Sequence, residues 1–337
     1  MRVLVLTTSY PRSQNDVAGS FVADGVRALR EAGVEVTVVS PADFQSFGIA
    51  FGHGIVQNLR ARPWLVMLLP AFMVSFSLAA RRAARDVDVV HAHWLPSAVA
   101  ALATGKPFVL QVWGTDLELA RRAPWLARPL LRSARVVIGA SSFLAEQAKS
   151  LGARDVRVVP TPVEIPEHVG APEEPPHVLF AGRLSEEKGI LEFLEATEGL
   201  PRVIVGDGPL RDRVPEAVGF VSRELLGGYY ERAAVVCVPS RREGYGMVAR
   251  EAMAYGRPVV ATAVGGLKDA VRADDNGLLV PVSDVTALSA AVAGLLSNGD
   301  ERTRLGARAR EDGCSLAPDV VGKALGTVLS NAWAETH

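Results

Sequence analysis

The sequence predicts an α/β fold of two successive doubly wound domains, and three observations carry that prediction. Short continuous runs of Val, Ile and Leu recur at Val3–Leu6, Val34–Val39, Val87–Val90, Phe108–Val112, Val136–Ile138 and Val156–Val159. Ala- and Arg-rich segments with helical spacing separate them, the pattern of a parallel sheet covered on both faces. Between Pro160 and Pro176 six prolines (160, 162, 166, 172, 175 and 176) leave no room for a helix or a central strand. A second series then runs through Val178–Ala181, Val203–Val205, Val235–Val238, Val259–Ala261 and Leu278–Val280. A length of 337 residues, 49% of them apolar, suits two domains that each bury a core.

Taken in order, Met1 to Thr8 has one Arg before a four-residue apolar run and no small-residue cleavage site, so it reads as a buried first strand and not as a signal peptide. The first helix places Phe21, Val22, Val26 and Leu29 on one side and stops at Gly33. Trp64 to Ala80 is apolar over 17 residues and flanked by Arg60, Arg62, Arg81 and Arg82. It reads either as a buried helix of the first domain or as a membrane-surface element, with peripheral contact through 60–85. A terminal helix, about Asp319 to Glu335, puts Val321, Leu325, Val328 and Ala332 at helical spacing and is expected to return to the first domain. The expected division is 1–165 joined by 318–337, a Pro-rich linker over 166–176, and a second domain over 177–317.

Thirty-six basic against thirty-seven acidic residues give a formal charge of −1, so no overall field draws the chain to nucleic acid. Two cysteines, Cys237 and Cys314, form no disulfide framework and suggest a reducing compartment, with cytoplasm as the expected location.

In open α/β sheets, ligands bind at the carboxyl ends of strands, so the loops leaving them should carry chemistry. The densest constellation runs from Glu243-Gly244-Tyr245-Gly246-Met247 to Glu251-Ala252-Met253-Ala254 and Gly256, directly after Pro239-Ser240. A helix starting near Gly246 would offer bare N–H groups and a positive dipole end to a phosphate. Glu251, among apolar neighbours, needs a partner: ligand hydroxyls would serve, and an ion pair with a nearby Arg is the competing reading. Upstream, Gly182-Arg183-Leu184-Ser185-Glu186-Glu187-Lys188-Gly189 follows the first strand of the second domain. Ser185 is expected to cap the next helix, with Lys188 in its first turn, where a cation opposes the dipole and points to an anionic ligand. Arg183 and Lys188 could grip a diphosphate, or be two solvated surface charges. The first βα turn, Thr7 to Gly19, lacks the spacing of a dinucleotide fingerprint, which disfavours a dehydrogenase.

The ordered set Gly182-Arg183-Leu184…Glu187-Lys188-Gly189, Gly206-Asp207-Gly208-Pro209, Glu243…Glu251 and Gly265-Gly266-Leu267 resembles glycosyltransferase family 4, group 1. The resemblance implies the GT-B architecture, two Rossmann-like domains facing a central cleft. It further implies that Arg183 and Lys188 hold the diphosphate with backbone N–H groups of Gly246 and Met247, that Glu251 binds ribose hydroxyls, and that Glu243 contacts the transferred sugar. Gly182 completes this donor side, and Gly206, Asp207, Gly208, Phe220 and Val221 would border the base. In the first domain, Gly19 matches the family's glycine near the diphosphate and acceptor, while His91, His93 and Asp116 fall on the acceptor side. The family usually has a His where this chain has Trp113, a departure that suggests a donor lacking a free 6-hydroxyl.

The implied reaction is retaining transfer of a sugar from a UDP- or GDP-linked donor to a glycan or lipid-linked acceptor, in polysaccharide or cell-envelope synthesis, with no metal and no cofactor. His91 and His93 face the same way on a strand but lack further ligands for a metal, and Asp86-Val87-Asp88 precedes a strand instead of ending one. Alternatives of the same architecture are a nucleotide-sugar epimerase and an inactive nucleotide-binding partner subunit.

Overall fold

A computed structural model describes every residue except 14, 15, 17, 51–53 and 335–337. The chain divides into two compact units, Met1–Pro162 with Pro318–His337, and Val163–Ala317. Unit 1 runs β1 (Arg2–Leu6), α1 (Ser20–Glu31), β2 (Glu35–Val39), α2 (Ile55–Ala61), α3 (Leu69–Ala83), β3 (Val89–His93), α4 (Leu95–Thr104), β4 (Phe108–Val112), α5 (Thr115–Arg122), α6 (Pro124–Ser133), β5 (Val136–Gly139), α7 (Ser142–Ser150) and β6 (Val156–Val158). Unit 2 runs β7 (Val178–Ala181), α8 (Ile190–Ala196), β8 (Arg202–Val205), α9 (Arg223–Arg232), β9 (Val235–Val238), α10 (Met247–Ala254), β10 (Val259–Thr262), α11 (Leu267–Ala270), β11 (Gly277–Val280), α12 (Val285–Ser297) and α13 (Gly299–Cys314). The last helix, α14 (Pro318–Ala334), belongs to unit 1.

All strand pairs are parallel, in the orders β2-β1-β3-β4-β5-β6 and β11-β10-β9-β7-β8. Central strands β1, β3, β4, β7 and β9 are buried almost throughout, which is why they read as unbroken apolar runs. Strand order reverses between β7 and β9 in unit 2, so the connections leaving these neighbouring strands run toward opposite edges of the sheet, the kind of position at which open α/β sheets bind ligands.

Helix α14 packs on α1, burying Val321, Leu325, Leu329 and Ala332. Gly322 permits the close crossing, because a Cβ there would lie 2.2 Å from the Ala28 carbonyl oxygen. The Pro-rich segment 166–176 is tied to unit 2 by hydrogen bonds to its backbone groups. Gly170 N–H donates to Glu231 at 2.9 Å, Glu173 N–H to the Arg232 carbonyl at 2.9 Å, and Arg310 to the Pro166 carbonyl at 2.7 Å. Proline excludes regular structure, but it does not stop the neighbouring backbone groups from finding partners.

The apolar stretch after Arg62 is not a buried helix. Pro63–Leu68 forms a 3₁₀ segment leading into α3, and α3 buries one stripe of Phe72, Phe76 and Ala80 while its other residues are half-buried or exposed.

Candidate active site

In unit 2 the two divergent loops meet. Gly189, after β7, sits so close to the end of β9 that a Cβ would lie 2.0 Å from the Pro239 carbonyl oxygen. Arg241 N–H donates to the Glu187 carbonyl at 2.9 Å. Lys188 Nζ then donates to Glu243 Oε2 at 2.7 Å, joining a cation from one loop to a carboxylate from the other. The same oxygen accepts from Ser240 Oγ at 3.4 Å, and Gly266 N–H donates to the Glu243 carbonyl at 3.0 Å.

The β7 loop is also sewn to the β8 loop. Gly182 N–H donates to the Val205 carbonyl and Leu184 N–H to the Asp207 carbonyl. Gly206 N–H donates to the Gly219 carbonyl, which places exposed Phe220 and half-buried Val221 beside this loop. Arg183 is exposed, and its stem lies over Gly208, where a Cβ would come within 3.1 Å of Arg183 Cγ.

Two local expectations are corrected. Ser185 makes no side-chain cap, and Lys188 does not lie in the first helical turn: Glu186–Lys188 is a 3₁₀ turn, and α8 begins only at Ile190, after left-handed Gly189. Lys188 therefore owes its position to Glu243 and not to a helix dipole. Glu251 has protein partners: Tyr230 Oη donates to it at 2.9 Å, and Arg223 Nη2 forms an ion pair with it at 3.7 Å, the arrangement of the competing reading.

Helix α10 begins at Met247 after Gly246 in the left-handed region, with no side-chain cap on its first N–H groups. Arg250, which sequence reasoning did not single out, is buried beneath this loop, stacks 3.9 Å over the Tyr245 ring, and donates to the Tyr245 and Gly266 carbonyls. Burial lowers its pKa. A charged residue inside an apolar helix was the available signal.

In unit 1, Gly19 caps α1 in a left-handed conformation; residues 15 and 17 of its loop lie outside the described residues. His91 and His93 are both buried, with ring centroids 4.2 Å apart. Trp113 Nε1 donates to His93 Nδ1 at 3.3 Å, and the indole packs 4.3 Å from Phe21 and 6.1 Å from Trp94. Trp113 is thus packed among aromatic side chains of its own unit. Asp88 is held by Arg2, whose backbone N–H donates to it at 2.7 Å. Among the described residues no three His, Cys, Asp or Glu side chains converge as a metal site.

Asp116 Oδ1 accepts from the N–H groups of Trp113 and Leu117, both at 3.1 Å, while buried Oδ2 has no partner. Burial pushes its pKa up to about 6. Burial brings His91 down to about 4, Gln111 acting in the opposite sense, and lowers His93 well below the usual value. A raised carboxyl costs stability as pH climbs from about 4 to 6, whereas lowered histidines cost stability as pH falls below about 6.5. Two histidines oppose one carboxyl, so acidification from pH 6.5 to 4.5 is expected to lower the thermal midpoint. Asp116→Asn keeps the accepting oxygen but removes the opposing contribution, and its midpoint should fall more steeply over that range. A shallower fall in circular-dichroism melts of the variant would contradict these assignments.

Residues 18–166 match the model of glycosyltransferase family 4, and residues 163–312 that of glycosyl transferases group 1. The chain is 30% identical over 353 residues to the D-inositol 3-phosphate glycosyltransferase of Acidothermus cellulolyticus, covering 83% of this chain and 78% of that one. This chain belongs to glycosyltransferase family 4, group 1. A further relative of this glycosyltransferase, 28% identical over 335 residues, is the putative teichuronic acid biosynthesis glycosyltransferase TuaC of Bacillus subtilis, with 84% of this chain and 86% of that one covered. Among solved structures, sucrose-phosphate synthase from Thermosynechococcus elongatus superposes with a TM-score of 0.83 at 23% identity over 99% of both chains. Anabaena HepE in complex with UDP-glucose gives 0.73 at 18%, covering 98% and 100%. At those identities the two likenesses establish the GT-B fold of the family member and nothing finer.

Proposed function

We propose that this glycosyltransferase moves a sugar from a nucleotide diphosphate to a glycan or lipid-linked acceptor with retention of configuration, without a metal ion. The observation that supports this reading best is the meeting of Lys188 and Glu243 at the strand-order reversal of unit 2, beside the uncapped start of α10. A diphosphate carries more negative charge than Glu243, so it would draw the Lys188 ammonium away, with Arg183 supplying a planar fork. The α10 N–H groups at Gly246 and Met247 add fixed dipoles aimed at the same anion. Glu243, released from Lys188, is assigned to the sugar, and Glu251 to the ribose.

Cleaving the bond between sugar and diphosphate builds negative charge on the leaving group, and preorganised cations and N–H groups stabilise it there. The leaving phosphate itself takes the acceptor hydroxyl's proton on the face it departs from, so neither glutamate is assigned as a general base. A cytoplasmic location on the inner face of the plasma membrane, with peripheral contact through 60–85, suits a lipid-linked or envelope acceptor. UDP- and GDP-sugars both remain in the proposed donor class, because base recognition is assigned to the segments at Gly206–Gly208 and Phe220–Val221.

The test is a panel of UDP- and GDP-sugars followed by mass spectrometry. One donor should release its nucleoside diphosphate, slowly alone and faster with acceptor, and the rate should survive excess EDTA. An isomerised nucleotide sugar would instead mark an epimerase, and a chelator-sensitive rate restored by manganese would refute metal independence.

A further inference from the structure

Formal charge is strongly segregated between the two units. Unit 1 holds nineteen basic and thirteen acidic residues, a charge of +6, and unit 2 seventeen and twenty-four, a charge of −7. The excess in unit 1 comes from one stretch: residues 55–135 contain eleven basic and four acidic residues. Charge asymmetry of this kind points to a polyanionic partner for one half of a chain.

That stretch builds a single layer of helices, because α3 packs on α4 and α4 on α6, apart from the α1–α14 pair. Large apolar side chains stand out from the same layer. Trp64 is 60% exposed and Met67 84% on the approach to α3, Val74 and Leu78 are exposed on α3, and Leu102 on α4. On α6 Trp125 is 72% exposed beside Leu126, with Arg121, Arg122, Arg128 and Arg132 all exposed around them.

Between α3 and α4 lies a groove of about 320 Å³ lined by Arg81, Arg82, Arg85, Lys106, Thr104 and Leu78. Among the described residues none of its four cations has an ion-pair partner, and the neighbouring Asp88 is taken by Arg2. Four cations kept together without counter-charges repel one another, and a phosphate relieves that repulsion through forked guanidinium contacts.

We propose that the α3–α4–α6 layer docks on an anionic lipid bilayer, with Trp64, Met67 and Trp125 at the acyl boundary and a lipid phosphate in the groove of Arg81, Arg82, Arg85 and Lys106. Aromatic side chains with surrounding arginines are the composition of an interfacial element. Phe72, Phe76 and Ala80 commit the other side of α3 to the protein, so the segment lies on the bilayer and does not cross it. A second copy of the chain is a poorer occupant of this face, because matching layers would bring like charges together. The docking surface extends the contact proposed through 60–85 to α6 and gives it a headgroup site. It involves none of the residues assigned to the donor, so vesicle binding can fail while transfer stands, and the reverse.

The full chain is sedimented with phosphatidylcholine vesicles with and without 30% phosphatidylglycerol. Binding is expected only with the anionic lipid and should be lost at 0.5 M salt. Arg81→Gln/Arg85→Gln should weaken it about 30-fold, at roughly fivefold per neutralised arginine, and Trp125→Ser about tenfold. The matched pair Arg27→Gln/Lys323→Gln, on α1 and α14, should bind within about twofold of the parent. Circular dichroism confirms that each variant is folded. Equal pelleting with neutral vesicles, no pelleting at low salt, equal losses from both double variants, a preference for duplex DNA over vesicles, or self-association without lipid would each overturn the proposal.

Discussion

Lys188→Ala and Arg183→Ala are each expected to lower kcat/KM at least a hundredfold while the protein stays folded. A fixed cation aimed at charge that develops on the leaving group contributes about 3–4 kcal/mol in a water-poor site, and each 1.4 kcal/mol is a factor of ten in rate. The stability cost is much smaller. Lys188 and Glu243 are 2.7 Å apart, but the lysine side chain keeps 32% of its exposure, so screening leaves the pair about 1 kcal/mol or less. Arg183 is exposed and holds up nothing that its loss would collapse. Thermal midpoints within a few degrees of the parent, together with the kinetic loss, separate a binding role from a structural one. Near-parental turnover by either variant would remove that residue from the diphosphate.

Gly206→Ala is expected to cost more than about 3 kcal/mol, the largest stability effect of any single methyl group in the donor loops. Its φ is +141°, and an added Cβ would lie 1.8 Å from the Gly182 carbonyl oxygen, backbone that cannot step aside without tearing the β7 loop from the β8 loop. Gly219, its hydrogen-bonded partner, has a φ of +96° with nothing within 4 Å of the added carbon. Gly219→Ala therefore carries only the backbone penalty, about 1–2 kcal/mol. Urea titrations of the two variants separate the contributions. Equal destabilisation would mean that the loops move apart freely and that Gly206 does not hold the β7 loop in place.

Much of the fold was legible because parallel strands buried on both faces leave a signal that needs no partner to interpret. The run Val235–Val238 and the break at Gly182 carry their meaning locally. What was not legible depends on pairing. Lys188 and Glu243 lie 55 positions apart, and nothing local says that each satisfies the other before a ligand arrives. Tyr230 meeting Glu251 from α9, and Arg250 holding two loop carbonyls, are hidden for the same reason. Ser185 misled because a Ser before two glutamates suits an N-cap, while left-handed Gly189 ends the turn before a helix can start from it. The stretch after Arg62 has one composition under both of its readings, and only its packing shows that a single stripe is buried.

The site's central assignment is tested most directly by calorimetric titration of UDP and GDP into the parent and Lys188→Ala proteins, in EDTA and without sugar or acceptor. The expected result is that the parent binds one of the two nucleotides without divalent metal and that the variant binds it at least tenfold more weakly. Equal affinity in the two proteins, or no binding of either nucleotide to the folded parent, would contradict the assignment of the diphosphate to the loops after β7 and β9.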